Sequence, residues 1–414
     1  MSNSAPAPAP APAPADALRP LHLYTSYGIG MFANTLQDLY TVIVPLFALS
    51  FGASISEVGY LAGIRYAGSA IFAMHGGSLA DRIGTRRLLL GCSLVTAVAA
   101  LAIPAVPLFW PLFVLQFVSG LVTTFNWISA QALVAHMCKG DAGMLGRYNF
   151  VVRTGTIGAP IAIGTMWDFF GAWPTFGSIA LWAVLLHVLT RFVPEQNLGL
   201  MGGERPPLRA LLPKVSDYVR SFRLILIPVV LFSIVVSTLR NGTNGIQAST
   251  YIAYVESIGF TGTKIGILFA AVEGSIAVAS LFAGSARRLG HTEWILLFTA
   301  VVAILAISVT PFLGGQFPVL FIAMCFVGGA QGFMQPLVFS IQSKAVGPDH
   351  QGAMVGLRMT ANRAANMIIP PIAGFFAENF GIEMSFVFVG ALFLTLAVVV
   401  GIIIATRKNF GLNP

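Results

Sequence analysis

The sequence predicts an all-α membrane protein with twelve transmembrane helices in two pseudo-symmetric six-helix halves. Three observations predict this fold: the composition, an internal repeat and the placement of positive charge. Of the 414 residues, 56% are hydrophobic and only 9% are charged, whereas about a quarter of the residues of a soluble domain are charged. Apolar runs of roughly 20 residues recur along the chain, and each is long enough to cross a bilayer as a helix.

The two halves of the chain repeat one pattern of residues. Seven positions of the first half are matched 210 positions later by the same residue types, apart from one Asp/Glu exchange. The first set is Gly146, Arg153, Pro160, Gly164, Asp168, Phe170 and Gly171, and the second is Gly356, Arg363, Pro370, Gly374, Glu378, Phe380 and Gly381. Asn34 and Gly52 recur 207 positions later as Asn241 and Gly259. Two related apolar halves predict a central site between them.

The apolar runs place the twelve helices in order along the chain. They are predicted at residues 24–50, 58–80, 88–106, 109–136, 147–170, 173–193, 224–250, 265–286, 293–313, 317–343, 353–377 and 384–406. Turns that contain Gly and Pro separate several of them. The predicted domains are a disordered Ala/Pro-rich tail (1–23), the first half (24–193), a polar linker (194–223), the second half (224–406) and a short tail (407–414).

The distribution of charge predicts how the chain is oriented. Most of the 23 Lys and Arg residues fall in segments that the helix order places on one face. The positive-inside rule assigns this face and both termini to the cytoplasm. We therefore expect a multi-pass protein of the cytoplasmic (inner) membrane, in contact with lipids, and no nucleic-acid partner despite the net charge of +8.

The sequence contains no chemical motif that predicts an enzyme. The three cysteines, Cys92, Cys138 and Cys325, show neither a disulfide framework nor metal-ligand spacing. No Walker loop, His-Glu-x-x-His motif or nucleophile elbow is present. We therefore predict no enzymatic activity, no metal and no cofactor.

The segment after the second predicted helix carries the most specific motif. It reads Gly77-Ser-Leu-Ala-Asp81-Arg82-Ile-Gly84-Thr-Arg86-Arg87. This segment resembles the signature of the major facilitator superfamily between helices 2 and 3, and it departs from that signature at Thr85, where a basic residue is usual. The resemblance covers about residues 24–406. It implies a secondary transporter that works as a monomer by alternating access, with Gly77, Asp81, Arg82, Gly84 and Arg86 in a cytoplasmic gate.

Two weaker patterns bear on the direction of transport. The fifth predicted helix is similar to the antiporter motif of this superfamily, but Ala159 and Ile163 replace two of its glycines. The same small residues and proline suit any tightly packed bent helix. In the fourth helix, Gln116 and the pair Ser119-Gly120 stand where drug exporters carry an Arg before a final Gln-Gly. The missing basic residue counts against a standard drug/proton antiporter.

Charged residues inside the predicted spans are the sharpest site candidates, because a charge in mid-bilayer persists only when it is paired or faces water. They are Asp38, Arg65, Arg153, Arg240, Glu273, Arg358 and Arg363. The excess of Arg favours an anionic solute, and we predict that Arg65, Arg153, Arg240 and Arg363 bind it. Arg358 lies nearer a helix end and could instead reach the membrane interface. A structural alternative pairs Arg153 and Arg363 with Asp38 and Glu273.

The two intramembrane acids, Asp38 and Glu273, are the candidates for proton coupling. A carboxylate takes up a proton when a closing cavity desolvates it and releases the proton beside an Arg. Alternation between the two environments would couple proton movement to transport. The alternative is a static ion pair.

The resemblance also implies that helices 1, 4, 7 and 10 line the cavity. Their candidate binding residues are Asn34, Gln37, Tyr40, Asn126, Trp127, Asn241, Asn244, Gln331 and Gln335. Amide side chains can orient a ligand, and an aromatic ring can stack on one. The alternative role for such residues is hydrogen bonding between helices.

These observations predict proton-coupled uptake of a small anionic solute, such as a carboxylate metabolite or a metal–siderophore chelate. The rival prediction is proton-antiport efflux of an amphipathic drug or metabolite, based on the partial glycine motif and the apolar walls. A third possibility is a transporter-like sensor or lipid-handling protein that moves no soluble solute.

Overall fold

The computed structural model describes residues 20–138, 141–193, 219, 221–287, 291–346 and 351–406. The first half contains six helices. They are α1 (Pro20–Ser50), α2 (Ile55–Ile83), α3 (Thr85–Ala102), α4 (Phe109–Cys138), α5 (Ala142–Phe170) and α6 (Ala172–Arg191).

The second half contains eight further helices in its described residues. They are α7 (Pro228–Ile246), α8 (Ile252–Ser257), α9 (Gly262–Leu281), α10 (Ala283–Arg287), α11 (Thr292–Ser308), α12 (Phe317–Ala345), α13 (Gln351–Phe380) and α14 (Ile382–Thr406). A π-helical turn, Gln247–Tyr251, joins α7 to α8. Together these form the seventh predicted helix, α9 and α10 form the eighth, and α11 to α14 correspond to the last four.

The predicted all-α membrane fold is confirmed. The described residues contain no strand, and seven helices (α1, α3, α4, α6, α9, α12 and α14) are long and apolar enough to cross a membrane. The equally long α2, α5 and α13 carry Arg side chains along their length. Twelve as the number of membrane crossings therefore stays a prediction.

Contacts between helix ends, such as Arg86 of α3 with the end of α6 and Asp168 of α5 with the start of α9, indicate that successive long helices alternate in direction. The bundle therefore has two ends. We call the end that holds Pro20 and Thr406 the termini face, and the opposite end the far face. The far-face turns use glycines with positive φ at Gly52 (86°), Gly171 (73°), Gly259 (84°) and Gly381 (93°). Only glycine adopts this conformation readily. The turns therefore explain two glycine pairs of the sequence repeat.

Two helix pairs join the halves, α2 with α13 and α5 with α9. Glycine lets these helices approach closely, because a Cβ atom at Gly59 would lie 2.5 Å from the carbonyl oxygen of Pro370. A Cβ atom at Gly266 would overlap the carbonyl oxygen of Pro160. Both contacts lie in the part of each helix nearer the far face. The halves are therefore packed together at the far face.

Within the first half, Gly120 allows α4 to pack directly on α2. A methyl group there would overlap the backbone carbonyl of Arg65, which α2 holds rigidly. We expect Gly120→Ala to lower stability by about 1–3 kcal/mol, the usual range for overpacking, seen as a lower melting temperature in detergent. The matched control is Gly91→Ala on α3, where no atom lies within 4 Å of the added carbon. Equal melting temperatures for the two variants would contradict this packing.

Candidate substrate site

A cavity of about 550 Å³ lies between α4 of the first half and α7, α12 and α13 of the second. Its lining includes Trp127 on α4, Asn241 on α7, Gln335 on α12 and Asn362 on α13. Trp127, Gln335 and Asn362 lie in the part of their helix nearer the termini face, and Asn241 lies near the middle of the span that α7 and α8 form together. The cavity therefore belongs to the termini side of the bundle, whereas the far face is closed by the helix pairs described above.

The cavity wall is positively charged. Arg240, Arg358 and Arg363 line it, and no Asp or Glu is among the lining residues within the described part of the chain. The guanidinium carbon of Arg358 lies 4.6 Å from the ring centre of Phe339. Aromatic faces thus support the cations, as expected for cation–π contacts, without neutralising them. The arrangement creates a positive potential that attracts anions.

Arg363 extends from α13 to the first half of the protein. Both of its terminal nitrogens donate to Oε1 of Gln37 on α1, each at 3.2 Å. The guanidinium also lies 5.4 Å from the ring centre of Tyr66 and 6.0 Å from that of Trp127. Two donors share one neutral acceptor atom here, whereas a carboxylate would offer them two charged oxygens. The fork of Arg363 is therefore suited to exchange Gln37 for an acidic ligand.

Arg240 and Asn241 form the α7 wall of the cavity. Nε of Arg240 is buried and has no hydrogen-bond partner in the described part of the chain. The side-chain amide of Asn241 donates to the Ser237 carbonyl at 2.7 Å and to Oδ1 of Asn362 at 2.8 Å. The Asn241–Asn362 bond ties α7 to α13 at the cavity wall.

Arg65 and Tyr40 lie apart from the main cavity. The buried Arg65 donates to the Gln37 carbonyl at 3.4 Å, and its guanidinium carbon lies 4.6 Å from the centre of the Tyr40 ring. Both residues line a second space of about 10 Å³ beside Gln116. Nη1 of Arg65 and both polar atoms of the Gln116 amide are buried, and none of them has a hydrogen-bond partner among the residues that the structure describes. This space suits about one water molecule, which such polar groups would hold.

Arg153 and Glu273 form an ion pair across the two halves. Nη1 of Arg153 on α5 lies 2.8 Å from Oε2 of Glu273 on α9. Oδ2 of Asp38 is buried and has no hydrogen-bond partner among the described residues, and the charges of Glu273, Arg153 and Arg65 act on this carboxyl. Both candidate proton carriers therefore belong to one group of charges at the centre of the bundle. Arg153 is paired with Glu273 and is not among the residues that line the cavity.

Besides Gln37 and Asn241, three of the predicted amide ligands hydrogen-bond to neighbouring helices. Asn126 donates to the Thr96 hydroxyl at 3.2 Å. The Gln331 amide donates to the Thr243 hydroxyl and to Oδ1 of Asn244, each at 2.9 Å. Asn34 is half-buried on α1. These residues do not line the cavity, whereas Trp127, Asn241 and Gln335 do.

The predicted gate motif is described only in part. Gly84 has a φ of 98° and separates α2 from α3. Arg86 donates to the carbonyls of Thr190 at 3.4 Å and Arg191 at 3.0 Å, where a cation suits the negative end of helix α6. Helix α2 continues through Gly77, Asp81 and Arg82, and their surroundings lie outside the described residues.

Helix α13 forms a wall of the cavity that was not predicted from the sequence. Helix α13 contributes Val355, Arg358, Met359, Asn362, Arg363 and Asn366 to the lining. Their spacing of three or four residues, apart from adjacent pairs, marks one helix face. This periodicity was available in the sequence. The family resemblance pointed instead to helices 1, 4, 7 and 10, and α1 contributes no lining residue among those described.

A carboxylate at the far face caps a helix of the opposite half. Oδ1 of Asp168, near the end of α5, accepts the Gly262 N–H at 2.7 Å. Oδ2 accepts the Thr263 N–H at 2.7 Å and the Thr263 hydroxyl at 2.6 Å. These donors belong to the first residues of helix α9, whose N-terminus is positively polarised. Thr261, the N-cap residue of α9, accepts the N–H of Lys264.

The repeat-related carboxylate makes the equivalent contact. Oε2 of Glu378, near the end of α13, accepts the Ser56 N–H at 3.0 Å at the start of α2. Ser54, 207 positions before Thr261, accepts the N–H of Glu57 at 3.2 Å. We call Asp168 and Glu378 with their partner N–H groups the far-face latch. The Asp/Glu pair of the sequence repeat is thus a pair of contacts between the halves.

The two-half helical bundle, the central cavity and the polar groups between the halves define a multi-pass membrane transporter. The profile of the Major Facilitator Superfamily matches residues 23–310 and 235–410. The chain belongs to the major facilitator superfamily, as the motif after α2 predicted.

Individual relatives are distant. The uncharacterised MFS-type transporter YuxJ of Bacillus subtilis (strain 168) is 24% identical over 387 residues, covering 89% of this chain and 95% of that protein. Multidrug resistance protein 2 of the same organism is 23% identical over 353 residues, covering 84% and 86%. The crystal structure of the nucleoside transporter NupG matches with a TM-score of 0.75 at 11% identity, covering 93% of this chain and 99% of that one. At this identity the structural match shows the fold alone.

Proposed function

We propose that the protein is a proton-coupled carrier that takes up a small organic anion across the cytoplasmic membrane by alternating access. One observation carries this proposal: three Arg side chains line the central cavity, and its described lining has no acidic residue. An apolar or cationic solute would leave these guanidinium groups without a counter-charge. An anion would supply it, with the side-chain NH2 of Asn362, whose oxygen accepts from Asn241, available to orient the solute.

Proton coupling would use the charge group around Asp38 and Glu273. Glu273 is paired with Arg153, whereas Oδ2 of Asp38 has no hydrogen-bond partner within the described residues. Because Glu273 and Arg153 lie on different halves, any rocking of the halves changes the distance between them. A Glu273 released from Arg153 would be free to bind a proton, and the re-formed pair would expel it.

The proposal includes the direction of transport and the orientation of the protein in the membrane. Positive charge in the loops supports a cytoplasmic termini face, so the described cavity would communicate with the cytoplasm. Gln116 is buried at the place where drug exporters carry an Arg. Its neighbour Gly120 serves the packing of α4 on α2. The missing basic residue at Gln116 counts against drug/proton antiport, whereas the packing role of Gly120 does not bear on direction.

A ligand panel followed by flux measurement tests the proposal. Purified full-length protein is melted with organic anions, ferric siderophores and lipophilic cations, since a ligand that binds the folded state raises the melting temperature. We expect stabilisation by anions, and uptake of the stabilising anion into liposomes that rises when the outside is made acidic. Asp38→Asn should lose the dependence on the proton gradient and keep solute exchange. Stabilisation by cations alone would overturn the proposal.

Export of an amphipathic compound is the second candidate function. It is favoured by the similarity to a relative named Multidrug resistance protein 2 and by the aromatic side chains Trp127 and Phe339 on the cavity wall. Lipophilic cations that stabilise the protein, together with increased drug susceptibility when the gene is deleted, would support this function instead.

A further inference from the structure

The positive charge of the cavity is divided between two sites on helix α13. Arg358 and Arg363 are five residues apart, which separates their Cα atoms by about 7.5 Å along the helix axis. Arg363 points to the first half of the protein. Its Nη1 atom lies 3.2 Å from Oε1 of Gln37, and its guanidinium carbon lies 6.0 Å from the ring centre of Trp127. Arg358 instead lies over Phe339 of α12, within the second half. The two guanidinium groups therefore belong to different ends of the cavity.

Arg240 adds a third cation to the cavity wall. Arg240 of α7 lines the same cavity, and the charges of Arg240 and Arg358 act on each other. The nearby acid Glu273 acts on Arg240, but its Oε2 atom is already held by Arg153 at 2.8 Å. At the other end, Arg363 has the neutral Gln37 as its acceptor. Each end of the cavity thus has a guanidinium group without a fully available carboxylate.

The wall between the two ends is neutral. The Asn241–Asn362 hydrogen bond closes part of it, and Met334, Val338 and Met359 supply apolar surface. A solute can therefore place an uncharged middle segment here. A single anionic group could neutralise only one end, and the other end would stay uncompensated in a partly desolvated cavity, which is unfavourable.

We propose that the solute is a dianion whose two acidic groups lie at opposite ends of a short uncharged body, of which a linear dicarboxylate is the simplest example. Arg363 grips one acidic group and Arg358 grips the other, and Arg240 adds positive charge to the wall of the same cavity. This inference rests on the proposed function, because it names the class of anion that the same cavity takes.

The experiment compares acids that differ only in the second charge. Full-length protein in detergent is titrated by calorimetry with the dicarboxylates from succinate to suberate and with the monocarboxylates from butyrate to octanoate. We expect the best dicarboxylate to bind at least about tenfold more tightly than its monocarboxylate partner, a difference of about 1.4 kcal/mol. In each of the variants Arg358→Gln and Arg363→Gln, the affinity for the dicarboxylate should fall to the affinity for its monocarboxylate partner.

Controls separate binding from folding. Arg223→Gln removes an exposed Arg outside the cavity and should leave the dicarboxylate preference unchanged. Arg358→Lys retains the charge and should restore part of the preference, which a purely structural role of Arg358 would not require.

The possible failures are distinguishable. Equal binding of the two acid series, lost in Arg363→Gln, would overturn the two-ended dianion and leave the proposed anion transport standing. A dicarboxylate preference that survives Arg358→Gln would also overturn it. Absence of binding by every acid, together with stabilisation by lipophilic cations, would overturn both the dianion inference and the proposed anion transport.

Discussion

Replacing Arg363 with Gln is expected to raise the KM for the transported anion by roughly 30-fold or more. Removing one partner of a desolvated charge pair costs about 2–5 kcal/mol, and about 1.4 kcal/mol corresponds to a factor of ten. Arg363 is the cavity residue whose two terminal nitrogens already converge on a single oxygen, that of Gln37. Initial rates of anion uptake into liposomes, measured over a range of concentrations, give KM for the variant and the parent protein.

Two further substitutions show whether Arg363 acts on the solute or only holds α1 to α13. Gln37→Ala removes the neutral acceptor and leaves the guanidinium free, so the KM should change much less than in Arg363→Gln. Arg363→Lys keeps the charge but not the two-pronged geometry and should give an intermediate KM. If Gln37→Ala and Arg363→Gln impair uptake equally, the contact between the helices is what matters, and the assignment of Arg363 to the solute is wrong.

Removal of the far-face latch is expected to open the far face. Asp168 and Glu378 accept backbone N–H groups at the starts of α9 and α2. Each contact combines a charge-assisted hydrogen bond with the favourable placement of a negative charge at a helix N-terminus. Because both acids are exposed, we estimate about 1 kcal/mol for each. The double variant Asp168→Ala/Glu378→Ala should therefore shift the closed–open equilibrium by roughly 30-fold.

Spin-label distances measure this shift directly. Ala105 and Phe312, repeat-related positions 207 residues apart, are exposed at the far face in opposite halves. Labels on cysteines at these positions require the three native cysteines to be replaced first. The distance distribution should gain a longer component in the double variant. The control is Asp141→Ala, since Asp141 caps its own helix α5 at the termini face. An unchanged distribution in the double variant would show that glycine packing alone closes the far face.

The latch should withstand mildly acidic conditions. Hydrogen bonds from the side chain of Ser54, and then from the side chain and backbone N–H of Ser56, lower the pKa of the Glu378 carboxyl below its usual value. Glu378 lies just beyond the predicted span that ends at residue 377. A carboxylate with a lowered pKa stabilises the latched state above its ordinary pKa, and this contribution is lost as the pH falls through the lowered pKa. Spin-label distances should therefore be the same at neutral and mildly acidic pH.

Much of the fold could be predicted because its determinants are local. Helix positions follow from apolar runs, and the far-face turns follow from glycines such as Gly52 and Gly259, which recur at one offset. The motif after α2 was sufficient to indicate the superfamily. The sign of the cavity charge was also predictable, because intramembrane Arg residues outnumber intramembrane acids.

The site itself was predictable only in part. The intramembrane residues Arg65, Arg153 and Arg363 looked equivalent in the sequence. In the structure Arg153 pairs with Glu273, Arg65 stacks on Tyr40, and Arg363 reaches the cavity. Arg358 was assigned a possible interfacial position, yet it lines the cavity beside Phe339. Hydropathy reports depth in the membrane but not the direction in which a side chain leaves its helix.

The sequence by itself determined the helical class, the two related halves, the family and the excess of positive charge, because composition, periodicity and motifs are properties of nearby residues. Only the tertiary structure decided which arginines share a cavity and which acids bridge the halves. The rotation of each helix about its axis, and its partner in the other half, depend on contacts such as Gly59 with Pro370 and Asp168 with Thr263. These residues are far apart in the chain, and their contacts form only when the two halves pack together.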